Sequence, residues 1–270
     1  MPAMLRAIQA PVRALYEEAP LLPFCGPALT IATINVWFDK HYQRERYDAL
    51  FALLEMHAPD IVAFQEVTLD FIEQLKTCSW TAGYRWIDDH GAQLGNYGVG
   101  ILSKLPMQNT SYAGLSSRMG RTVLWAEFTH QDTPFTVATT HLESMSENAD
   151  YRKRQLKSIG DLLAKHPGGF FCGDFNLCAS WPDENQALRN YEDLWSTLKP
   201  NDNGFTVDYS VNKMKPSTKA PVRFDRILSH GQHLWRPQTI TMIATEPLEG
   251  RPNLWPSDHF GLLATMRLAG

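Results

Sequence analysis

What most narrows the fold of this 270-residue chain is a set of short apolar runs that each stop at a polar, chemically capable side chain. Leu29–Val36 is apolar and β-branched, Ile61–Gln65 follows Pro59-Asp60, and Phe170–Cys172 ends at Gly173. Runs of this length and composition predict buried strands. Tyr84–Ile87, Val99–Ser103, Thr122–Thr129, Phe135–Thr140, Arg223–Leu228 and Gly261–Met266 predict further strands. Between them, Arg44–His57 repeats Tyr47, Leu50, Phe51 and Leu54 at helical spacing, and Leu69–Thr77, Glu147–Leu163 and Tyr191–Leu198 also read as helices. Two rounds of strands with interspersed helices predict an α/β fold of two packed sheets with helices outside, in one domain. Residues 1–27, interrupted by Pro11, Pro20, Pro23 and Pro27, read as a lead-in with a short helix near 4–18, and residues 28–270 as the domain. The polar stretch 200–220 predicts a long exposed loop.

Composition limits the functional classes. A net charge of −4 excludes a broad basic coat for nucleic acid, so any phosphate must be held locally, at a few cations or a metal. The four cysteines, at 25, 78, 172 and 178, form no Cys-x-x-Cys pair, which argues against a zinc ribbon. No stretch approaches the ~18 apolar residues of a membrane span, and the N-terminus has no signal-peptide pattern. These features predict a soluble intracellular protein, cytoplasmic, or nuclear if the source is eukaryotic.

A buried strand presents its last side chains into whatever cleft lies at its end. Five such ends carry Asn35, Glu66, His141, Asp174 with Asn176, and Asp258 with His259. A carboxylate such as Glu66 suits a hard divalent cation, which takes oxygen ligands and keeps several waters. Gly173 permits a turn after which Asp174 and Asn176 point the same way, one able to take a proton from water and the other to donate to a phosphoryl oxygen. His141 and Ser144 can likewise donate to phosphate. Asp225, in Arg223-Phe224-Asp225-Arg226, can fix the tautomer of His259 and favour its cationic form, which stabilises charge developing on a transferring phosphoryl group. Taken singly, Glu66 also fits a helix cap, Asp174 an Asx turn, and each histidine a structural role. The ordered set favours chemistry.

Thr33-Ile34-Asn35, Gln65-Glu66-Val67, Thr140-His141-Leu142-Glu143-Ser144, Gly173-Asp174-Phe175-Asn176, Arg223-Phe224-Asp225-Arg226 and Ser257-Asp258-His259 together resemble the endonuclease/exonuclease/phosphatase superfamily, over roughly residues 29–268. The resemblance implies a four-layer α/β sandwich of the DNase I-like type. Within it, Arg152-Lys153-Arg154-Gln155-Leu156-Lys157, Arg223-Phe224-Asp225-Arg226-Ile227 and Ser257-Asp258-His259-Phe260-Gly261-Leu262-Leu263 are most similar to the 5′-tyrosyl-DNA phosphodiesterases. That subgroup cleaves the bond between a protein tyrosine and a DNA 5′ phosphate and needs magnesium; manganese is the alternative ion.

Carried onto this sequence, the resemblance implies that Asn35 and Glu66 hold the metal with Asp258, and that Asp174 orients or deprotonates the attacking water. Asn176, His141, Ser144 and His259 contact phosphate, Asp225 orients His259, and Arg121 and Arg226 bind phosphate or substrate. The implied partner is a nucleic-acid end or another phosphodiester. Two positions depart from the subgroup: Cys178-Ala179 stand where it tends to have an Arg, and Phe205 where it tends to have a Trp. Phe205 can still stack on a base. An abasic-site endonuclease or exonuclease, a phosphoinositide phosphatase, a sphingomyelinase and a non-catalytic binding module of the same fold remain as alternatives.

Overall fold

Alternation along the strands sorts their side chains into separate cores. In the computed structural model, which describes residues 5–16, 26–94, 97–130, 132–178, 181–232 and 235–269, two sheets lie face to face. The chain runs β1 (Ile8–Gln9), β2 (Ala28–Asn35), α1 (Gln43–His57), β3 (Ile61–Val67), α2 (Leu69–Leu75), β4 (Arg85–Asp88), β5 (Gly98–Ser103), β6 (Gln108–Gly114), β7 (Thr122–His130) and β8 (Thr133–His141). It continues with α3 (Ala149–Leu163), β9 (Gly169–Asp174), α4 (Pro182–Asn185), β10 (Glu192–Asp193), α5 (Leu194–Leu198), β11 (Asp225–His230), β12 (Trp235–Ile243) and β13 (Gly261–Leu268). One sheet has the order β1-β6-β7-β8-β9-β11-β10, the other β12-β13-β2-β3-β5-β4.

On β2, Leu29 and Ile31 face the opposite sheet, where they join Leu124, Phe128, Phe135 and Phe170. Ala32 and Ile34 face outward, against Tyr47, Leu50, Phe51 and Leu54 of α1 and Phe71 of α2. On the far side, Leu156, Ile159 and Leu163 of α3 cover Trp125, Ala138 and Phe171. The result is helix, sheet, sheet, helix, the layering expected. Each fully buried Phe or Leu contributes about 2 kcal/mol to holding the layers together. Among the described residues no helix is long and apolar enough to cross a membrane.

Four expectations need correction. The helix near 4–18 is absent from its described part: Ile8 and Gln9 pair with Tyr112 and Ser111, and Arg13 bridges Trp86, while residues 4, 17 and 18 lie outside the described set. The open edge of β6 offers these residues backbone partners, and Pro11 disfavours a helix. The reading Tyr191–Leu198 resolves into β10 followed by α5, because Asp193 turns the chain and accepts from the backbone N–H of Trp195 and Ser196. Two strands, β6 and β12, carry too many polar residues for periodicity to flag them; β12 is an edge strand with Pro237 at a register shift. The stretch 200–220 is not exposed throughout. Thr206, Val207 and Asn212 are buried, because their polar atoms serve the backbone of neighbouring segments: Thr206 Oγ1 accepts from the N–H of Phe224 and Asp225, both 3.1 Å, and Asn212 Nδ2 donates to Ser257 O, 2.8 Å.

Candidate active site

Register brings the polar strand ends together. β8 and β9 are parallel with His141 opposite Asp174, and β11 runs antiparallel to β9 with Asp225 opposite Asp174. His141, Asp174 and Asp225 therefore form a row across one sheet. On the other sheet, β2 and β3 are parallel with Asn35 opposite Gln65, and a register shift between Gln65 and Val67 sets Glu66 apart from the ladder. Gln65 Nε2 donates to Thr139 Oγ1 at 3.0 Å and so ties the two sheets at this end. Ser257 Oγ donates to Asn35 O at 2.6 Å and accepts from His259 N at 3.2 Å, which holds Ser257-Asp258-His259 against the end of β2.

The backbone is strained here. Trp37, Glu66, Met145 and Asn176 all have positive φ, at 56°, 60°, 72° and 47°. Such conformations cost about 1–3 kcal/mol each and gather where geometry serves function. Gly173, at φ 138°, is required for a second reason: a Cβ there would lie 2.1 Å from Thr140 O.

Asp174 is the hub. Its Oδ2 accepts from Asn35 Nδ2 at 3.1 Å, with His141 Nε2 at 3.4 Å and His259 Nε2 at 3.9 Å; its Oδ1 accepts from Asn176 N at 2.8 Å. His259 Nδ1 donates to Asp225 Oδ2 at 2.8 Å. Arg121 Nη1 lies 3.1 Å from His141 Nδ1, and Arg121 Nη2 donates to Ser144 Oγ at 2.9 Å. A guanidinium can only donate, so His141 accepts at Nδ1 and its proton sits on Nε2, facing Asp174.

The two histidines thus differ in charge. Burial, reinforced by Arg121 and His259, presses His141 well below the ordinary imidazole range. Burial also opposes charge on His259, but Asp225, then Asp174 and Asp258, outweigh it and hold His259 well above that range. Burial and the neighbouring Asp225 raise the Asp174 carboxyl, against the pull of His259 and the hydrogen bonds from Asn176 and Asn35. A raised carboxylate beside a cationic and a neutral imidazole can take a proton while its neighbours donate to an anion.

Burial, and then the charge of Asp258, raise the Glu66 carboxyl above the ordinary carboxylate range. Asp258 Oδ1 is buried with no hydrogen-bond partner among the described residues, while Lys215 pairs with Oδ2. Two mutually repelling carboxylates, one with an orphaned oxygen, make a hard oxygen set that fits a divalent cation, and Asn35 Oδ1, which accepts from Trp37 N at 3.0 Å, keeps a second lone pair for it. Asp174, Asp225 and His259 also present ligand atoms within 4.8 Å of one another. The His259–Asp225 hydrogen bond makes that trio the poorer cation site, because a protonated imidazole repels a cation.

Of the residues singled out from the sequence, Asn35, Glu66, Arg121, His141, Ser144, Asp174, Asn176, Asp225, Asp258 and His259 come together at this end. Arg226 does not join their network: it is buried, donating to Asp193 Oδ2 at 2.7 Å and Leu177 O at 3.1 Å. Phe205 is half-buried beside Thr206. Periodicity missed three residues that support the site. Arg46, fully buried, donates to five backbone carbonyls, those of Val36, Trp37, Asp39, His41 and Pro256. Arg152 donates to the carbonyls of Glu143 and Met145, at 2.9 and 2.6 Å, and pairs with Glu184, fixing the loop of Ser144. Tyr97 stacks on Phe38 with ring centroids 4.6 Å apart, lies 5.9 Å from the His141 ring, and has the Arg121 guanidinium 5.3 Å from its centroid. The Tyr97-Gly98-Val99-Gly100 alternation was the available signal for it, since glycines beside an aromatic mark close approach.

Residues 32–259 match the family described as the endonuclease/exonuclease/phosphatase family. The tyrosyl-DNA phosphodiesterase 2 of Bos taurus is 28% identical over 262 residues, covering 89% of this chain and 68% of that protein. That of Mus musculus is 30% identical over 249 residues, covering 83% of this chain and 62%, less than two thirds, of its own length. In fold, the D. rerio enzyme complexed with single-strand DNA product superposes with a TM-score of 0.80 at 23% identity, covering 89% of this chain and 99% of that one. The C. elegans enzyme superposes with a TM-score of 0.74 at 22% identity, covering 89% and 75%. With its strand ends, its two sheets and a match that spans most of its length, the chain belongs to the endonuclease/exonuclease/phosphatase family.

Proposed function

We propose that this chain is a magnesium-dependent phosphodiesterase, with manganese as an alternative ion, that hydrolyses 5′-phosphotyrosyl–DNA linkages left for DNA repair. The observation that carries the reading is Asp174 held between Asn35, neutral His141 and cationic His259, with Asp225 behind the last. The curated relatives' names supply the substrate class.

Asp174 positions a water and takes its proton as the water oxygen attacks phosphorus in line. The bond from phosphorus to the tyrosine oxygen breaks, and its electron pair leaves on the phenolate. A phenol has a pKa near ~10, so this leaving group needs less protonation than an alkoxide. His259, held cationic by Asp225, donates toward the non-bridging oxygens as charge grows there. His141 donates from Nε2. Asn176 has one amide N–H on Leu142 O at 3.2 Å, which leaves the other for phosphate. Ser144 Oγ accepts from Arg121, so its own O–H is available to donate. Glu66, Asp258 and Asn35 would hold the ion, which when bound would neutralise phosphoryl charge. Phe205 serves as the stacking surface for a base.

The test is a substrate panel in magnesium and in chelator: a 5′-tyrosyl oligonucleotide, an abasic duplex, a phosphoinositide and sphingomyelin. Cleavage of the tyrosyl oligonucleotide alone, lost in chelator and in Asp174→Asn or Glu66→Ala, supports the reading. Preference for any other substrate, or full activity in either folded variant, sinks it.

A further inference from the structure

Asp89 is a buried carboxylate that the chemistry above does not use. It follows β4 and is 6% exposed. Its Oδ1 accepts from the N–H of Gly91 at 3.0 Å and of Val99 at 3.1 Å, so it ties the start of the 89–98 segment to its return into β5. Its Oδ2 accepts from the hydroxyl of Thr122, the residue after Arg121 on the opposite sheet. One carboxylate therefore joins the segment that carries Tyr97 to the start of β7, directly after Arg121. The packing leaves it no freedom. A Cβ on Gly98 would overlap Asp89 Oδ1, and one on Gly91 would lie 2.8 Å from Gly98 Cα and 3.0 Å from Tyr97 O.

Tyr97 is what this anchorage delivers. Its ring lies between the Phe38 ring, 13° from parallel, and the site's Arg121 and His141. Among the described residues of this loop, Leu94 is 83% exposed. We infer that Asp89 is a positioning residue: through Gly91, Val99 and Thr122 it sets Tyr97 against Arg121 and His141, and it acts on hydrolysis only through Tyr97. This rests on the phosphodiesterase reading for its kinetic test.

The test is a double-mutant cycle on the 5′-tyrosyl oligonucleotide in magnesium, with Asp89→Asn, Tyr97→Ala and the pair. Asn cannot accept at both oxygens, and one anchor of the segment is lost. The expected result is a fall in kcat/KM of about tenfold for Asp89→Asn in the wild-type background and of less than twofold in the Tyr97→Ala background, since displacing a group by about an ångström costs rate only if that group is present. Losses that multiply across the cycle overturn the inference. Should Asp89→Asn melt below assay temperature, Thr122→Val removes one hydrogen bond while the carboxylate stays, and the same non-additivity, at about threefold, is expected. A readout free of activity is the fluorine resonance of 3-fluorotyrosine at position 97, assigned by its loss in Tyr97→Phe. Asp89→Asn is expected to move it toward the unfolded-peptide shift. An unmoved resonance overturns the inference even if the oligonucleotide proves not to be the substrate, whereas an inactive wild type sinks only the proposed function.

Discussion

Replacing Gly173 with Ala tests the register on which the site depends. The new Cβ would lie 2.1 Å from Thr140 O, with the Thr140 C and N atoms both at 3.1 Å. An ordinary carbon–oxygen approach is about 3.3 Å, so β8 and β9 must part by about 1.2 Å at this point. Thr140 pairs with Gly173, and the next pair along is His141 with Asp174. The displacement therefore falls on the 3.4 Å approach of His141 Nε2 to Asp174 Oδ2. Misplacement by about an ångström costs about a hundredfold in rate. Overpacking adds about 1–3 kcal/mol and the positive φ about 1–3 kcal/mol, together roughly 2–6 kcal/mol of stability. At about 2 °C per kcal/mol for a chain of this size, Tm should fall by about 4–12 °C. The assay pairs kcat/KM on a 5′-tyrosyl oligonucleotide with a thermal melt. A Gly173→Ala protein within threefold of wild-type activity and within about 2 °C of its Tm would refute the close approach of the two strands as the reason for glycine.

Asp225→Asn leaves His259 without its carboxylate partner; kcat is expected to fall by about 10²–10⁴-fold, and Tm to fall too because a buried imidazolium loses its counter-charge; retention of activity within threefold would contradict the assigned role. Arg46→Ala strips hydrogen bonds from five carbonyls, and at about 1–3 kcal/mol for each one left dry, chemical denaturation should show a loss above about 3 kcal/mol. Arg46→Lys should recover part of that loss, because an ammonium has only three donors. Burial works against the charge of Asp193, but Arg226 and Arg223 overcome it and hold its carboxyl below the ordinary carboxylate range. A depressed folded-state value means stability that is present above the unfolded value near ~4 and lost as pH falls through the folded one. Asp193→Asn is therefore expected to cost about 3 kcal/mol at pH 7 by urea unfolding, and progressively less below about pH 4; a pH-independent difference would count against the ion pairs.

The catalytic end of the fold was legible because its chemistry restricts residue type. Glu66 and Asp174 stand at the ends of apolar runs, where a buried strand has no structural need for them; Asp258 and His259 instead precede β13, contrary to the expectation that they end a strand, and antiparallel pairing of β13 with β2 brings its start to the same place. Their shared location then follows from parallel pairing of β2 with β3 and β8 with β9, which points the ends of those strands the same way. Arg226 departs from this pattern. It alternates with Asp225 along β11, and period two sends it to the opposite face, where Asp193 receives it. In the 200–220 stretch polarity does not mean exposure, because Thr206 and Asn212 spend their polar atoms on buried backbone.

What stayed hidden is the set of residues that fix distances rather than make or break bonds. Arg46 looks like any helix-surface arginine on α1, yet one of its five acceptors is Pro256 O, 210 residues away. Every residue has a carbonyl, so a site assembled from carbonyl acceptors carries no residue-type signature on the acceptor side. Asp89 is hidden for the same reason, since two of its three donors are backbone N–H groups. The test that separates these classes is the conservative substitution. Asp174→Asn removes a proton acceptor and should abolish turnover outright. Arg46→Lys keeps charge and approximate length and should trade stability while leaving the chemistry in place, because the carbonyls it orders belong to segments that flank Glu66 and Asp258 and do not themselves touch phosphorus.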